Sequence, residues 1–378
     1  MRGHVRKRGK TWAVVYDEGQ DESGKRQQRW RGGFATKREA EEALNSILEK
    51  LPRGEYVAPS KLTLGEYLET WTGTLSLNKH ARLTIATYKR AVRHATPTLG
   101  PVPLQKVSAA HLEGLYATLD EKGLGSSTIR LVHNVLHKAF DRAVRDQLIT
   151  RNPATYVEEK PKVSRRPTRT WSVRELHAFL TAVESDRLSV AWRFVAMSGV
   201  RRGELLGLRW RDVGEGHASI VQTVIPTGGK RWEFSETKTG RGRMIDLDPK
   251  TLKMLDAQRD AQALERETWG EAYVDHDLVF ARENGEPLDP NGFSEVFAAA
   301  AKRAKLPSIR LHDLRHTHAT HMLAAGVHPK VVQERLGHSS IKITLDLYSH
   351  VTPGMQKDAA ALVASRVDEP ALAERLQG

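Results

Sequence analysis

Near the start of the chain, polar and bulky positions alternate through Thr11, Trp12, Ala13, Val14, Val15 and Tyr16, stop at the polar run DEGQDESGK and resume from Arg26 to Phe34. Alternation with period two, broken by a Gly-containing polar run, predicts a β-hairpin. Thr36 and Glu39 then have the spacing of a capping box ahead of the helical run EAEEALNSILEK, which gives a small sheet-plus-helix unit ending near Pro52 and Gly54. From Thr63 the period becomes helical. A second capping box, Thr63 with Glu66, opens this region, and helices are expected from about Thr84 to Ala95, after Ser108 and after Ser127. In the last of these, Ile129, Val132, Leu136, Phe140 and Val144 recur at spacings of three and four, one apolar stripe on a helix that ends by Asn152 and Pro153. Pro97, Gly100, Pro101 and Pro103 separate the second helix from the third. The pattern therefore divides into residues 1–55, a helical domain over 61–157, a linker over 158–170 (EEKPKVSRRPTRT, almost without apolar residues) and a largest domain over 171–378 that opens with a third capping box, Ser172 with Glu175. No internal repeat interrupts this order.

At 378 residues the chain is long enough for two or three domains, each with its own core. Its 59 Lys and Arg against 46 Asp and Glu give a formal charge of +13, which favours a polyanionic partner. Nucleic acid is the commonest such partner. An anionic membrane surface is the rival, but no apolar run approaches the ~20 residues of a spanning helix, and the polar start MRGHVRKRGK is unlike a signal peptide. A soluble, cytoplasmic protein is the expectation. The absence of cysteine excludes disulfides, thiolate catalysis and every zinc site that needs sulfur. Arg6, Lys7, Arg8, Lys10, Lys25, Arg26, Arg29 and Arg31 crowd the first strands, where a solvated sheet face and a polyanion-binding face fit the pattern equally well.

Two Gly-Lys runs invite comparison with a phosphate-binding loop. Such a loop needs a glycine five positions before its Gly-Lys pair, and His4 and Val224 stand there; the second run also lacks the Ser or Thr that holds magnesium. ATP chemistry is not expected. The stretch LHDLRHTHATHML carries His312, His316, His318 and His321. Zinc is disfavoured there: the HExxH pattern is missing, Asp313 is the one adjacent carboxylate, and the charge of Arg315 opposes a cation. An anion suits the same residues, because Arg grips two phosphate oxygens at once and His donates too. Further candidates are Arg201 with Glu204 in SGVRRGEL, Lys238 in ETKTGRGRMIDL between two strand-like runs near the tip of an expected hairpin, and His338 and Tyr348 in LGHSSIKITLDLYSHV. Taken singly, each reads as a surface charge or a packing residue.

Their order is more specific: Arg201, Lys238, His312-x-x-Arg315, His338, Tyr348. It resembles the tyrosine recombinase, or phage integrase, family. SGVRRGEL is similar to that family's first arginine box, TKTGRGRMIDL to its β-hairpin lysine, LHDLRHTHAT to its HxxR box and LGHSSIKITLDLYSHV to its last histidine and tyrosine. Departures are mild, with Ser198 where threonine is frequent and Val200 where leucine or methionine is usual. Upstream, residues from about Thr63 to Tyr156 resemble the family's helical core-binding domain, and the first 55 or so its three-stranded arm-binding domain. The resemblance implies a multidomain fold, mainly α with small β-sheets: an N-terminal three-stranded sheet plus helix, a helical core-binding domain and a mixed α+β catalytic domain.

The residue types suit phosphodiester transfer on physical grounds as well. A tyrosine hydroxyl, with a pKa of ~10, is a poor nucleophile at neutral pH unless a base or a more reactive electrophile helps it. Arg201 and Arg315 neutralise the non-bridging oxygens as charge builds, His312 or His338 adds a third donor, and Lys238 protonates the departing 5′ oxygen. Tyr348 is the expected nucleophile, with the nearby His350 a weaker candidate; Glu204 is read as structural, holding Arg201 or the helix start. Exchange of one phosphate ester for another conserves most of the bond energy, so no cofactor or metal is expected. The resemblance further implies a site-specific recombinase acting as a homotetramer on two synapsed double-stranded DNA sites, with arm-type sites and accessory DNA-bending and directionality proteins as possible partners. A type IB topoisomerase shares the chemistry, and a non-catalytic DNA-binding regulator shares the charge.

Overall fold

The computed structural model describes residues 3–20, 26–51, 56–76, 82–162, 169–228, 231–236, 242–348, 360–361 and 363–365. The chain divides into two compact units, Met1–Arg165 and Arg166–Gly378.

The first unit opens with antiparallel strands β1 (Gly3–Arg8), β2 (Thr11–Gln20) and β3 (Arg26–Phe34) in that spatial order, followed by α1 (Lys37–Lys50). The expected hairpin is β2–β3. Thr36 Oγ1 accepts from the Glu39 N–H at 3.2 Å and Glu39 accepts from the Thr36 N–H at 3.3 Å, closing the first capping box. Val14 and Tyr16 pack on Ala40, Leu44 and Ile47 of α1. Burial along β2 does not alternate, however, since Ala13 and Val15 on the opposite face are also excluded from solvent. The register explains this: Ala13 is paired with Arg6, and Val15 with His4 and Trp30, whose larger side chains stand on the same face of the sheet. Arg6, Lys7, Arg8, Lys10, Arg29 and Arg31 are exposed, and the Arg6 guanidinium lies 6.0 Å from the centre of the Trp30 ring. Lys25 and the side chain of Arg26 lie outside the described residues.

Four helices complete this unit: α2 (Leu64–Thr74), α3 (Arg82–Leu99), α4 (Ala109–Glu121) and α5 (Ser126–Arg145). Leu64 and Leu68 of α2, Leu112 and Leu115 of α4, and Ile129, Val132, Leu136 and Phe140 of α5 form a core of their own. The helix expected to stop before Pro97 runs through it to Leu99. A proline there removes one hydrogen bond close to the helix end, and the Gly100 N–H donates to Thr96 O at 2.8 Å to close the turn.

The second unit contains α6 (Val173–Ala182), α7 (Ser189–Ser198), α8 (Arg202–Leu206), β4 (Val213–Gly214), β5 (His217–Ile220), β6 (Gln222–Gly228), β7 (Arg231–Glu236), β8 (Arg243–Asp246), α9 (Pro249–Trp269), α10 (Pro290–Arg303), α11 (Leu311–Ala324), α12 (Pro329–Leu336) and α13 (Ile341–Tyr348). Its core is aromatic: Trp171, Phe179, Trp192, Phe194 and Phe297 are buried, and Trp192 stacks on Phe293 with ring centres 4.4 Å apart. Ser172 Oγ accepts from the Glu175 N–H, as the third capping box requires. The strand pairing corrects one expectation. Among the described residues, β7 pairs back with β6 and β8 pairs with β5, so the two strands flanking Lys238 belong to different sheets and do not form a hairpin with each other. No described helix is long and apolar enough to cross a membrane.

Candidate active site

Two helices end in left-handed glycines, and their carbonyls organise the site. α7 stops at Gly199, with φ 65°, and α12 at Gly337, with φ 66°. A side chain on either would be strained by that backbone, and at Gly199 a Cβ would also lie 2.5 Å from Leu336 Cδ2. The last carbonyls of a helix have no partner within it and carry the negative end of its dipole. Arg315, on α11 and only 2% exposed, donates Nη1 to Gly199 O at 2.7 Å and Nη2 to Leu336 O at 2.6 Å. Arg201, just before α8, donates Nη2 to Gly337 O at 2.9 Å. Both guanidinium groups, 114 residues apart in sequence by their numbers, are thus tied to the same turn after α12. His338 follows that turn directly.

Glu204 is the anionic centre of the group. It is 3% exposed and accepts from the Arg201 N–H at 2.9 Å, from Arg201 Nη1 at 2.7 Å, and from Arg243 Nη1 and Nη2 at 3.1 and 2.6 Å. Burial raises its pKa, but the Arg243 hydrogen bonds and charge, with those of Arg201, outweigh burial and hold it down to about 2. It is therefore ionised and already paired, which suits the structural role read from sequence. Among the described residues no carboxylate lies within ion-pairing distance of Arg315, so Arg201, Arg243 and Arg315 share one carboxylate and keep a surplus of positive charge. Burial first and then the charge of Arg201 push Arg315 down to about 9, which leaves it protonated at neutral pH.

Burial, and after it the same surplus of positive charge, keeps the histidines neutral. Burial, then Arg315 and Arg201, push His338 down to about 4; burial, then His316 and Arg315, do the same to His312. The His312 and His316 rings meet edge to face at 5.0 Å, and no three His, Asp or Glu side chains among the described residues converge as metal ligands would. His338 Nδ1 lies 2.9 Å from Oγ1 of Thr344, a fully buried residue on α13. Tyr348 is the last residue of α13, one turn beyond Thr344, so positions 344 and 348 share a helix face. The structure thus brings together Arg201, Arg315 and His338, sets His312 beside them electrostatically, and places residue 348 on the helix that His338 anchors. Lys238, His350, Gly229, Lys230 and the side chain of Tyr348 lie outside the described residues.

Arg243 and Arg335 were not singled out from sequence. The signal was present in β8, where Arg243 stands two positions from the buried Ile245 and therefore on the inward face of the strand. A charge on an inward face requires a partner.

The neutral histidines have a consequence for stability. His318 and His338, and His133 of the helical core, take up a proton near pH 6.5 when unfolded but only at about 4 when folded, burial being the largest cause for each. Below pH 6.5 the unfolded chain therefore binds more protons, and stability falls as pH drops, by up to about 1.4 kcal/mol per pH unit for each histidine. The thermal midpoint is expected to be flat above pH 7.5 and to fall between pH 6.5 and 5, before the Glu204 window opens below 4.5. A midpoint constant down to pH 5 would contradict this.

Two family models match separate stretches of the chain. The phage integrase family model matches residues 171–355, and an arm DNA-binding domain model matches residues 4–51. A tyrosine recombinase XerC-like protein of Caldanaerobacter subterraneus subsp. tengcongensis is 29% identical over 379 aligned residues, covering 93% of this chain and 96% of the relative. Among solved structures, the Tn1549 transposon integrase in complex with a circular intermediate DNA is similar with a TM-score of 0.69 and 22% identity, over 81% of this chain and 99% of that one. A lambda integrase tetramer bound to a Holliday junction gives a TM-score of 0.61 at 19% identity, over 91% and 94%. This chain is mainly helical, with small antiparallel sheets and an N-terminal three-stranded sheet.

Proposed function

Because the chain belongs to the phage integrase family of tyrosine recombinases, we propose that it is a site-specific DNA recombinase that cuts and rejoins strands through a 3′-phosphotyrosine intermediate. The observation that carries this reading is the surplus of positive charge where, among the described residues, Arg201, Arg243 and Arg315 share one carboxylate, Glu204. Such a site attracts an anion, and a phosphodiester whose charge grows in the transition state suits it. Arg201 and Arg315 neutralise its non-bridging oxygens. His338, whose proton both arginines repel, contributes a neutral N–H or accepts a proton as base. Tyr348 attacks phosphorus, the ester bond to the 5′ oxygen breaks, and Lys238 gives that oxygen its proton. Resealing reverses these steps from a free 5′ hydroxyl.

In the same reading residues 1–55 bind arm-type DNA sites, 61–157 and 171–378 hold the crossover site, and 158–170 join them. The match of residues 4–51 to an arm DNA-binding domain and the exposed Arg6, Lys7, Arg8 and Lys10 support the first of these. Two synapsed duplexes call for four copies of the chain, and bacterial relatives fit a cytoplasmic protein acting on the chromosome or a mobile element. The test is to incubate the chain with a random duplex library in EDTA, without ATP, and to sequence the DNA left covalently attached. Discrete sequences are expected. Attachment without sequence preference would favour a topoisomerase, and tight binding with no covalent DNA would favour a regulator.

A further inference from the structure

We propose that Arg243 is a positioning residue for this site, holding Glu204 against Arg201 and fixing the α12 terminus whose carbonyls orient Arg201 and Arg315. The inference rests on the strand-cleavage reading above. Its ground is the number of parts that one side chain joins. From β8, Arg243 grips both oxygens of Glu204 and donates Nε to Arg335 O at 2.9 Å. Arg335 returns the contact, donating Nη2 to Asp246 O of β8 at 3.0 Å and to Met197 O of α7 at 3.1 Å. The two arginines therefore clasp β8 to α12, Arg243 through the backbone of Arg335 and Arg335 through the backbone of Asp246. The next two carbonyls after Arg335, those of Leu336 and Gly337, are the acceptors for Arg315 and Arg201. Gly337 lies so close to Arg243 that a Cβ there would meet Cδ and Nε at 3.1 and 3.2 Å, which fixes the guanidinium against this turn.

Arg243 touches no reacting atom in this arrangement. Its effect reaches the phosphate through Glu204 and through the α12 carbonyls, and a displacement of about 1 Å in such a site costs on the order of 10²-fold in rate. A lysine supplies the charge but not the planar fork that reaches two carboxylate oxygens and a carbonyl together.

The test is single-turnover cleavage of a nicked suicide substrate by the full chain. Arg243→Gln is expected to slow cleavage about 10–100-fold at saturating DNA, with affinity changed by less than about threefold, and Arg243→Lys to restore only part of the loss. Combined with Arg201→Lys, the two losses are expected not to multiply, because Arg243 works through Arg201. The acid limb of the rate profile is expected to move to higher pH in Arg243→Gln. Glu204 faces Arg201 at its own helix start, Arg243 from β8 and the charge of Arg315 from α11, and it loses its strongest stabilising partner. Losses that multiply, or a Gln variant that cleaves at the wild-type rate, would overturn the proposal; if Arg243→Gln does not fold, Arg243→Lys carries the same cycle. Absence of cleavage by the wild-type chain would instead contradict the recombinase reading itself.

Discussion

Tyr348→Phe is expected to abolish covalent attachment to DNA, by at least ~10⁴-fold, while DNA affinity stays within about twofold. The substitution keeps the aromatic ring and removes the hydroxyl alone, so it deletes the nucleophile and little else. Position 348 shares a face of α13 with the fully buried Thr344, which His338 holds at 2.9 Å. This anchoring survives in the variant. His350 is the one rival nearby, and a phosphohistidine link would be acid-labile where a phosphotyrosine link is stable. A variant that still forms an acid-stable adduct at the wild-type rate would remove Tyr348 from the mechanism.

Arg315→Ala is the second change with a large expected effect. The guanidinium is buried and held by Gly199 O and Leu336 O, so its aim is set before DNA arrives. Removal of one preorganised donor from a developing oxyanion costs roughly 10²–10³ in rate, about 2.7–4 kcal/mol. Two buried carbonyls also lose their donor, at ~1–3 kcal/mol each, which loss of an unpaired buried charge partly offsets. The rate at saturating DNA, measured beside the thermal midpoint, separates the two effects. Cleavage of bound DNA is expected to fall by the full factor, and affinity far less. If affinity collapsed while bound DNA were cut at the wild-type rate, Arg315 would be an ordinary phosphate contact.

The parts of this architecture that sequence made legible are local or ordered along the chain. The three capping boxes expected from sequence join residues three apart, so both partners are read from one short window. The apolar stripe of α5 is periodic for the same reason, and Ile129, Val132, Leu136 and Phe140 are indeed buried. The constellation from Arg201 to Tyr348 was legible through its order, and the folded chain gathers Arg201, Arg315 and His338 at one helix terminus. What stayed hidden depends on distant partners. Arg243 meets Glu204 from 39 residues away and Arg335 from 92, and no spacing rule reaches so far. Alternation marked β7 and β8 as strands but said nothing of their neighbours, which is why a hairpin around Lys238 was expected where two sheets occur. β1 was visible only through family resemblance, since Val5 is its one large apolar residue.

Mass spectrometry of the covalent complex tests the central claim most directly. Wild-type chain trapped on a suicide duplex, digested with nuclease and protease, is expected to yield one modified peptide, from the end of α13, carrying a nucleotide 3′-phosphate on Tyr348. A nucleotide on any other residue, or no modified peptide from a chain that binds the duplex tightly, would contradict the account.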